Sequence, residues 1–292
     1  MNLLHADSAR NRRIGIAMVC LTTLCFATLD TIAKWLVISL PVVQVVWLRF
    51  LTHSLLGLAL LAPSYGVRLF KVRHVGLQLL RGVMLATMTG LNFWALLYLQ
   101  LDVTGAIQFS VPILIALVSA RWLGERLDLR CWIAILAGFG GVLLIVRPGS
   151  QAFHPAIVLA LANALVYAAF NLLTRRLAAT ELPAATQLLS AMVATAVLTP
   201  FGVWYWRSPD GWLSWVLVLS MGLFGGLGHL MVAQAHRYAS AAVLGPFLYQ
   251  QIIYMALFGW LVFGHVPDAA VVGGSAIVVA SGLYLLYREF RR

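Results

Sequence analysis

The chain repeats itself at a spacing of about 140 residues, and this repeat constrains its fold more than any other sequence feature. The matching residues are Leu24/Leu165, Phe26/Tyr167, Ala27/Ala168, Asp30/Asn171, Lys34/Arg175, Pro41/Pro183, Gly82/Gly222, Tyr98/Tyr238, Gly105/Gly245, Gly124/Gly264 and Asp128/Asp268. Each copy contains five apolar segments, so the second copy enters a membrane from the opposite side to the first. Two halves related in this way are typical of secondary transporters.

Composition places the chain in a membrane. Of its 292 residues 62% are hydrophobic and 10% are charged, against roughly 25% charged residues in soluble domains. A soluble fold would leave too much apolar surface in contact with water. The net charge of +11 does not indicate a nucleic-acid partner, because Lys and Arg lie at alternate ends of apolar runs instead of on one basic face. The lipid bilayer is the predicted partner.

Ten spans account for the apolar segments, with Pro, Gly and charged residues at their ends. The predicted spans are Ile14–Leu36, Val42–Ala62, Leu79–Leu99, Thr104–Leu123, Cys131–Val146, Pro155–Leu173, Ala184–Tyr205, Trp212–Gln234, Ala241–Phe263 and Ala269–Tyr287. The first run is longer than a typical signal-peptide core and has a counterpart in the second half, so it is interpreted as a span. The three cysteines, Cys20, Cys25 and Cys131, are odd in number and lack metal-ligand spacing. We therefore predict no structural disulfide, no metal and no cofactor.

The distribution of positive charge predicts the orientation. One set of ends holds fifteen Lys and Arg residues, namely Arg10, Arg12, Arg13, Arg68, Lys71, Arg73, Arg121, Arg126, Arg130, Arg175, Arg176, Arg237, Arg288, Arg291 and Arg292. The opposite loops hold only Arg147 and Arg207. Since cytoplasmic loops carry the excess of positive charge, both termini are expected to be cytoplasmic, in a bacterial inner (plasma) membrane. The prediction is an all-α integral membrane protein of ten transmembrane helices in two inverted five-helix repeats.

The expected organisation has four parts. A cytoplasmic tail of residues 1–13 precedes a first repeat over 14–150. A second, inverted repeat covers 151–287, and a cytoplasmic tail follows over 288–292. The protein is expected to be a monomer or a weak dimer.

Several short motifs resemble the EamA family of the drug/metabolite transporter superfamily. They are Tyr98-Leu99-Gln100-Leu101-Asp102-Val103-Thr104-Gly105-Ala106, Val111-Pro112, Leu123-Gly124-Glu125-Arg126-Leu127-Asp128 and Ala137-Gly138-Phe139-Gly140-Gly141-Val142. The second copy departs from the pattern, with His265 where the first has Glu125 and Ile252 where it has Pro112. The resemblance implies transport of small metabolites, and the chain is most similar to bacterial aromatic amino acid exporters of the YddG type.

A few ionisable residues inside spans are candidates for gating or coupling, because charge within a membrane is expensive and usually functional. Asp30 is the only acidic residue within a predicted span, and Arg49 and Lys34 are possible partners for it. An ion pair or gate near the external side is one interpretation, and direct binding of a proton or a substrate amine is the other. His229 is a candidate proton relay or a packing residue.

The substrate site is expected near the midplane, between the halves, where polar groups lie among aromatic side chains. The candidates are Asn92, Trp94 and Tyr98 in the third span, Asn163, Tyr167 and Asn171 in the sixth, and Gln250, Gln251 and Tyr254 in the ninth. Amides donate to a carboxylate and accept from an ammonium, and aromatic faces attract an ammonium. For Trp94 and Tyr98 a packing or interface role is the alternative.

The predicted function is therefore export of small metabolites, above all neutral or aromatic amino acids, by alternating access. A sugar, nucleotide-sugar or drug carrier of the same superfamily is the alternative. An intramembrane enzyme would need deep carboxylates that Asp30 alone does not supply. A channel would need subunit symmetry or filter loops. Neither signature is visible in the sequence.

Overall fold

The computed structural model describes residues 8–111, 113–114, 129–147, 153–178, 180–239, 244 and 247–290, without the side chains of residues 131, 175, 178, 236, 286 and 288–290. These described residues form ten α-helices and one short 3-10 helix. The α-helices are α1 (Ala9–Leu36), α2 (Val42–Tyr65), α3 (Val75–Tyr98), α4 (Leu101–Gln108), α5 (Leu129–Val146), α6 (Ile157–Ala178), α7 (Pro183–Trp204), α8 (Gly211–Tyr238), α9 (Gln250–Phe263) and α10 (Ala269–Phe290), and the 3-10 helix is Gly66–Phe70.

The helix ends follow from local sequence. The Ser8 hydroxyl accepts a hydrogen bond from the Asn11 N–H at 3.2 Å and caps α1. Pro183 opens α7 at the first helical position, where its missing N–H leaves no hydrogen bond unmade. Gly264 follows α9 in the left-handed region, with φ of 69°, and so stops that helix. The chain thus marks its span boundaries with Ser, Pro and Gly.

Six described helices are long and apolar enough to cross a membrane, namely Ala9–Leu36, Val42–Phe70, Val75–Tyr98, Ile157–Thr174, Pro183–Trp204 and Gly211–Ala235. Three shorter apolar helices, Trp132–Val146, Gln250–Phe263 and Ala269–Leu285, occupy other predicted spans. The fourth span is described only in part, and Pro112 and Glu125 lie outside the described residues. α3 begins four residues earlier than predicted, so Arg81, which is near the start of the predicted span, lies within the helix, and it is buried.

The helix contacts are those of two halves exchanged by a two-fold rotation. α1 packs on α8 as α6 packs on α3, α1 contacts α9 as α6 contacts α4, and α2 contacts α8 as α7 contacts α3. α2 packs on α7 and α5 on α10, so each of these pairs contains both equivalent helices. Five helices in each half make the two copies inverted. The predicted architecture of two inverted five-helix repeats is confirmed, whereas the side on which the termini lie stays a prediction.

Individual contacts obey the same exchange. The hydroxyls of Ser54 in α2 and Thr195 in α7 are 3.2 Å apart, and these residues are 141 positions apart in the chain, so the axis passes between them. A methyl group on Gly82 would lie 2.5 Å from the Val193 Cβ. The equivalent glycine of α8, Gly222, packs equally closely on Thr52. Glycine lets these backbones approach, which matters where lipid offers no hydrophobic drive for association.

The axis also runs between α5 and α10. A methyl group on Gly141 would lie 2.8 Å from the Gly274 carbonyl oxygen, and one on Gly274 would lie 2.6 Å from that of Gly141. The equivalent contact is the hydrogen bond that the Ser281 hydroxyl donates to the Ala134 carbonyl. Small residues therefore form the contacts in both helix pairs that flank the axis, α2–α7 and α5–α10.

Side-chain contacts group the loops on two faces. On one face, Gln44 exchanges two hydrogen bonds with the backbone of Arg207, at 2.6 and 2.8 Å, and so joins the start of α2 to the α7–α8 loop. On the other face, the Glu181 carboxylate accepts from the N–H groups of Arg73 and His74, both at 2.9 Å, and joins the α6–α7 and α2–α3 loops. This is the alternation that the predicted spans require.

Candidate functional site

Six helices form a curved row around the centre of the molecule. Each contacts the next in the order α3, α6, α4, α9, α1, α8. α2 and α7 close the gap between α8 and α3, because each contacts both of those helices. α5 and α10 lie behind α4. We call the row the six-helix ring, and most of the candidate residues from the sequence are on its helices.

Asp30 and Asn92 connect α1 to α3 across this ring. The Asn92 amide donates to an oxygen of Asp30 at 3.0 Å. Asp30 is 7% exposed and Arg49 is 3% exposed, so both charges are removed from solvent. Within the described residues neither forms an ion pair, and the Arg49 guanidinium instead lies 4.0 Å from the centre of the Phe50 ring. Asp30 and Arg49 interact electrostatically but form no direct salt bridge in the described part of the chain.

His229 belongs to the same cluster. Its ring packs edge to face on Phe26 of α1, with centroids 5.0 Å apart, and stacks on His53 of α2 at 6.2 Å. His53 is buried, and the sequence analysis did not single it out. It lies one turn after Arg49 on α2, a spacing that could have identified it. We call Asp30, Arg49, His53, Asn92 and His229 the charged cluster.

Lys34 bonds to the backbone of α3 instead of to Asp30. Its ammonium donates to the carbonyls of Leu96 and Leu99, at 2.8 and 2.7 Å, and lies 5.4 Å from the centre of the Phe263 ring. These two carbonyls are at the end of α3. Lys34 therefore fastens the end of α1 to the end of α3.

The predicted polar stripe of α6 faces α4 and the ring. The Asn163 amide donates to Gln108 of α4 at 3.5 Å, and the Asn171 amide donates to the Tyr167 carbonyl at 2.7 Å. The Tyr167 ring stacks on Phe170 with centroids 6.3 Å apart. Asn163 is buried, whereas Tyr167 and Asn171 are half-buried. The structure thus retains the stripe and adds Gln108 to it.

The three candidates of α9 also lie on a ring helix. The Gln250 amide donates to the Thr23 hydroxyl of α1 at 2.9 Å. Gln251 contacts the sulfur of Met255 at 3.9 Å, and Tyr254 packs against the main hydrophobic core. All three predicted residues are half-buried. They provide neutral hydrogen-bonding groups beside aromatic surface.

Trp94 and Tyr98 lie apart from the other candidates. Trp94 is 45% exposed and Tyr98 is 53% exposed. Trp94 is two positions after Asn92, which turns it about 200° around the helix, away from Asp30. Tyr98 stacks on His154, in the α5–α6 loop, with centroids 5.2 Å apart. The structure brings Asn92 to the charged cluster but not these two aromatic residues.

Arg81 is the second buried arginine and is well supplied with acceptors. It donates to the hydroxyls of Thr174 and Ser190 and to the Thr186 carbonyl, at 2.9, 2.6 and 3.2 Å. It also lies over the Phe170 ring at 4.3 Å. These bonds connect α3 with α6 and α7, so Arg81 stabilises a helix interface.

The helices of the ring pack more closely at one end of the bundle than at the other. α1 and α3 contact each other at the end that Lys34 fastens. Exchange of the halves would give the same contact between α6 and α8, but the described parts of these helices show no comparable packing. The ring is therefore more tightly closed at the C-terminal ends of α1 and α3 than at those of α6 and α8.

An ion pair joins two loops at the closed end. Asp268 accepts a hydrogen bond from Arg147 and further bonds from the N–H groups of Val271 and Ala270, at 2.9 and 3.0 Å. The bond from Arg147, assisted by that from Val271, lowers the pKa of Asp268 below its usual range. The α5–α6 and α9–α10 loops are thereby linked on the same face as the Lys34 contact.

The described residues contain no group of three His, Cys, Asp or Glu side chains able to hold a metal ion. Cys20 and Cys25 are free thiols. What the site offers is a set of amides, hydroxyls and aromatic rings around one charged cluster. Such groups are able to hydrogen-bond with a small solute and to stack on it.

Comparison with known proteins identifies the family. The EamA-like transporter family matches twice, over residues 13–147 and 154–288. The chain belongs to this family. Both matches together span nearly the whole molecule, so this EamA protein is a membrane transporter and not an enzyme.

Relatives of this EamA transporter carry different solutes. A riboflavin transporter of Vibrio cholerae is 28% identical over 279 residues, covering 92% of this chain and 91% of the relative. An S-adenosylmethionine uptake transporter of Rickettsia bellii is 24% identical, covering 97% of both chains. A pseudopaline exporter of Pseudomonas aeruginosa is 28% identical, covering 93% and 95%. A solved crystal structure at 20% identity has a TM-score of 0.64 over 98% of this chain and 100% of that one, which supports the fold.

Proposed function

We propose that this EamA transporter exports neutral, above all aromatic, amino acids across the bacterial inner membrane by alternating access, with both termini in the cytoplasm. The observation that carries the proposal is the set of neutral amides on helices α6 and α9 of the six-helix ring. Asn163, Asn171, Gln250 and Gln251 supply amides that pair with either end of a zwitterion. Tyr167 is among the aromatic rings beside them.

The substrate site in this proposal comprises Asn92, Asn163, Tyr167, Asn171, Gln250, Gln251 and Tyr254. Trp94 and Tyr98 remain candidates only for a state in which α3 has turned, since both are exposed on its other face. Lys34 acts as the gate at the predicted external end, and Asp30, Arg49 and His229 as the gating or coupling group. The asymmetric closure of the ring supports a state open toward the cytoplasm.

A larger metabolite is the second candidate, because the relatives are named for riboflavin, S-adenosylmethionine and pseudopaline. S-adenosylmethionine itself ends in an amino acid group, so a ring suited to amino acids would also suit that end of it. A phosphorylated or nucleotide-sugar substrate is less well supported. It would need more than one free cation at mid-depth. Arg81 is already hydrogen-bonded to Thr174 and Ser190, which leaves Arg49 as the buried guanidinium with unpaired donors in the described part of the chain.

The test is transport by the purified protein in proteoliposomes. Labelled phenylalanine, tryptophan and threonine are compared with a sugar, a nucleotide-sugar, riboflavin and S-adenosylmethionine. We expect saturable flux of phenylalanine and tryptophan, reduced in Gln250→Ala and unchanged in Gln100→Ala, because Gln100 is an exposed amide outside the ring. Flux of riboflavin alone would exclude amino acid export. Equal flux in both variants would remove Gln250 from the site.

A further inference from the structure

The two buried arginines occupy equivalent interfaces of the two halves. Arg81 on α3 donates to Ser190 on α7. Shifted by the repeat, these positions become Met221 on α8 and Arg49 on α2. α3–α7 and α8–α2 are also equivalent helix contacts. Each half therefore places one guanidinium at the same kind of interface, but from the opposite helix of the pair.

Their hydrogen bonding differs completely. Arg81 has three acceptors, one of them only 2.6 Å away. Arg49 is 3% exposed. Its Nε and Nη1 atoms are buried and have no hydrogen-bond partner among the residues that the structure describes. Hydroxyl groups therefore accept hydrogen bonds from Arg81, whereas none accepts from Arg49 at the equivalent interface among the described residues.

Helix α8 and two histidines pack closely around Arg49 without supplying an acceptor to Nε or Nη1 among the described residues. A methyl group on Gly225 of α8 would lie 3.3 Å from Nη2, so glycine allows the helix to pass this close. His53 and His229 stack beside it. Asp30 is near enough to interact electrostatically with Arg49. Asp30 nevertheless forms no ion pair with it within 4.0 Å in the described part of the chain.

An arginine in this condition is costly unless something else pairs with it. Removing a charged donor from water without a partner is strongly unfavourable. Ionisable residues kept inside membranes commonly mark a solute path. A guanidinium is also the group whose planar, forked donors match a carboxylate.

We propose that Arg49 binds the carboxylate of the transported solute while Asp30, held by Asn92, receives its ammonium. This inference rests on the proposed amino acid export and assigns the recognition of the zwitterion to the charged cluster. The amides of α6 and α9 would then contact the rest of the solute. Solutes without a carboxylate, such as riboflavin, are excluded as good substrates.

The first test is ligand binding, measured as thermal stabilisation of the purified full-length protein. Phenylalanine is compared with phenylalaninamide, which lacks the carboxylate, and S-adenosylmethionine with its decarboxylated form. We expect the free carboxylate to improve affinity by about ten- to a hundredfold, the value of a hydrogen-bonded charge. Arg49→Gln should remove this preference, and Arg49→Lys should keep part of it. Retention of the full preference in Arg49→Gln would overturn the proposal.

The second test needs no ligand. Removing an unpaired buried charge should leave the melting temperature unchanged or raise it, so Arg49→Gln is expected to be as stable as the wild type. Arg81→Gln makes the same chemical change at the equivalent interface, breaks three hydrogen bonds and should lower it. Equal losses of stability in both variants would show that Arg49 is structural.

The outcomes separate the two proposals. If phenylalanine does not bind but S-adenosylmethionine binds through its carboxylate, amino acid export fails and the role of Arg49 stands. If amino acids are transported with no difference between acid and amide, export stands and the role of Arg49 fails. If riboflavin stabilises the protein and no solute with a carboxylate does, both amino acid export and the role of Arg49 are overturned.

Discussion

Replacement of Lys34 by methionine should open the end of the ring where α1 meets α3. The substitution keeps an unbranched side chain of similar length and removes the ammonium. Two hydrogen bonds are lost, to the carbonyls of Leu96 and Leu99 at 2.8 and 2.7 Å. Both carbonyls belong to buried residues, so the closed state of the variant leaves two acceptors without this partner.

The size of the effect follows from these two bonds. A hydrogen bond to a charged group contributes about 1.5–3 kcal/mol in soluble proteins, and bonds within membranes average nearer 0.6 kcal/mol. The buried ammonium itself disfavours the closed state, which offsets part of the gain. A net shift of about 1–3 kcal/mol toward opening is expected, which is roughly a five- to 150-fold change in the equilibrium.

Thiol labelling measures this shift. Met88 lies one turn before Asn92 on α3, farther from the closed end, and packs against the main core. In a background without the native cysteines, Met88→Cys is exposed to a membrane-impermeant maleimide applied to the face that carries the Lys34 contact. The labelling rate should rise at least fivefold when Lys34→Met is added, because that end opens more often. Lys71→Met serves as the control, since Lys71 is the other lysine and is exposed in a loop.

One result would refute the reasoning. If Lys34→Met folds, with an unchanged gel-filtration profile, and Met88→Cys is labelled at the rate seen with Lys71→Met, the contact does not control access. A rise in labelling from the opposite face only would show that the closed end has been assigned to the wrong pair of helices.

Three further predictions concern a helix contact, an ion pair and the second-half counterpart of Lys34. Gly141→Val should crowd the Gly274 carbonyl, reduce the free energy of unfolding by about 1–3 kcal/mol and so lower the melting temperature. Gly140→Val should not, because a methyl group on Gly140 would have no neighbour within 4 Å. Asp268→Asn should lower the melting temperature near neutral pH. Because the pKa of Asp268 is lowered, chiefly by Arg147, the difference from wild type should persist above about pH 4 and disappear as pH falls through the lowered value. Arg175→Met should raise labelling from the face opposite to the Lys34 contact, because the repeat makes Arg175 the counterpart of Lys34.

Much of the fold could be predicted because lipid simplifies the problem. A backbone in hydrocarbon must satisfy its own hydrogen bonds, so apolar runs become helices. The repeat then supplied the symmetry, down to the equivalent contacts of Gly82 and Gly222. Helix ends were less predictable. α3 begins at Val75, before the apolar run does, because a helix can extend past the hydrocarbon into residues that hydropathy scores as loop.

The candidate site was predicted by helix but not by face. Asn92 and Trp94 are two residues apart, and only the packing of α3 decides which of them meets α1. Asn92 reaches Asp30, and Trp94 is 45% exposed. Lys34 was expected near Asp30, yet a lysine has four rotatable methylenes and its ammonium reaches the end of α3. Sequence spacing fixes where a side chain starts and leaves its contacts open.

The repeat is kept where the halves pack and lost at the two charged residues of the charged cluster, Asp30 and Arg49. Gly82 and Gly222 are identical because both make close helix contacts. In contrast, the position equivalent to Asp30 in the second half is Asn171, and the one equivalent to Arg49 is Ser190. A symmetric scaffold can open at either end with similar energy, whereas an asymmetric charged cluster ties the solute to one interface. The charges of the first half and the amides of the second would then bind opposite ends of one molecule, so that the solute itself spans the interface that must rearrange.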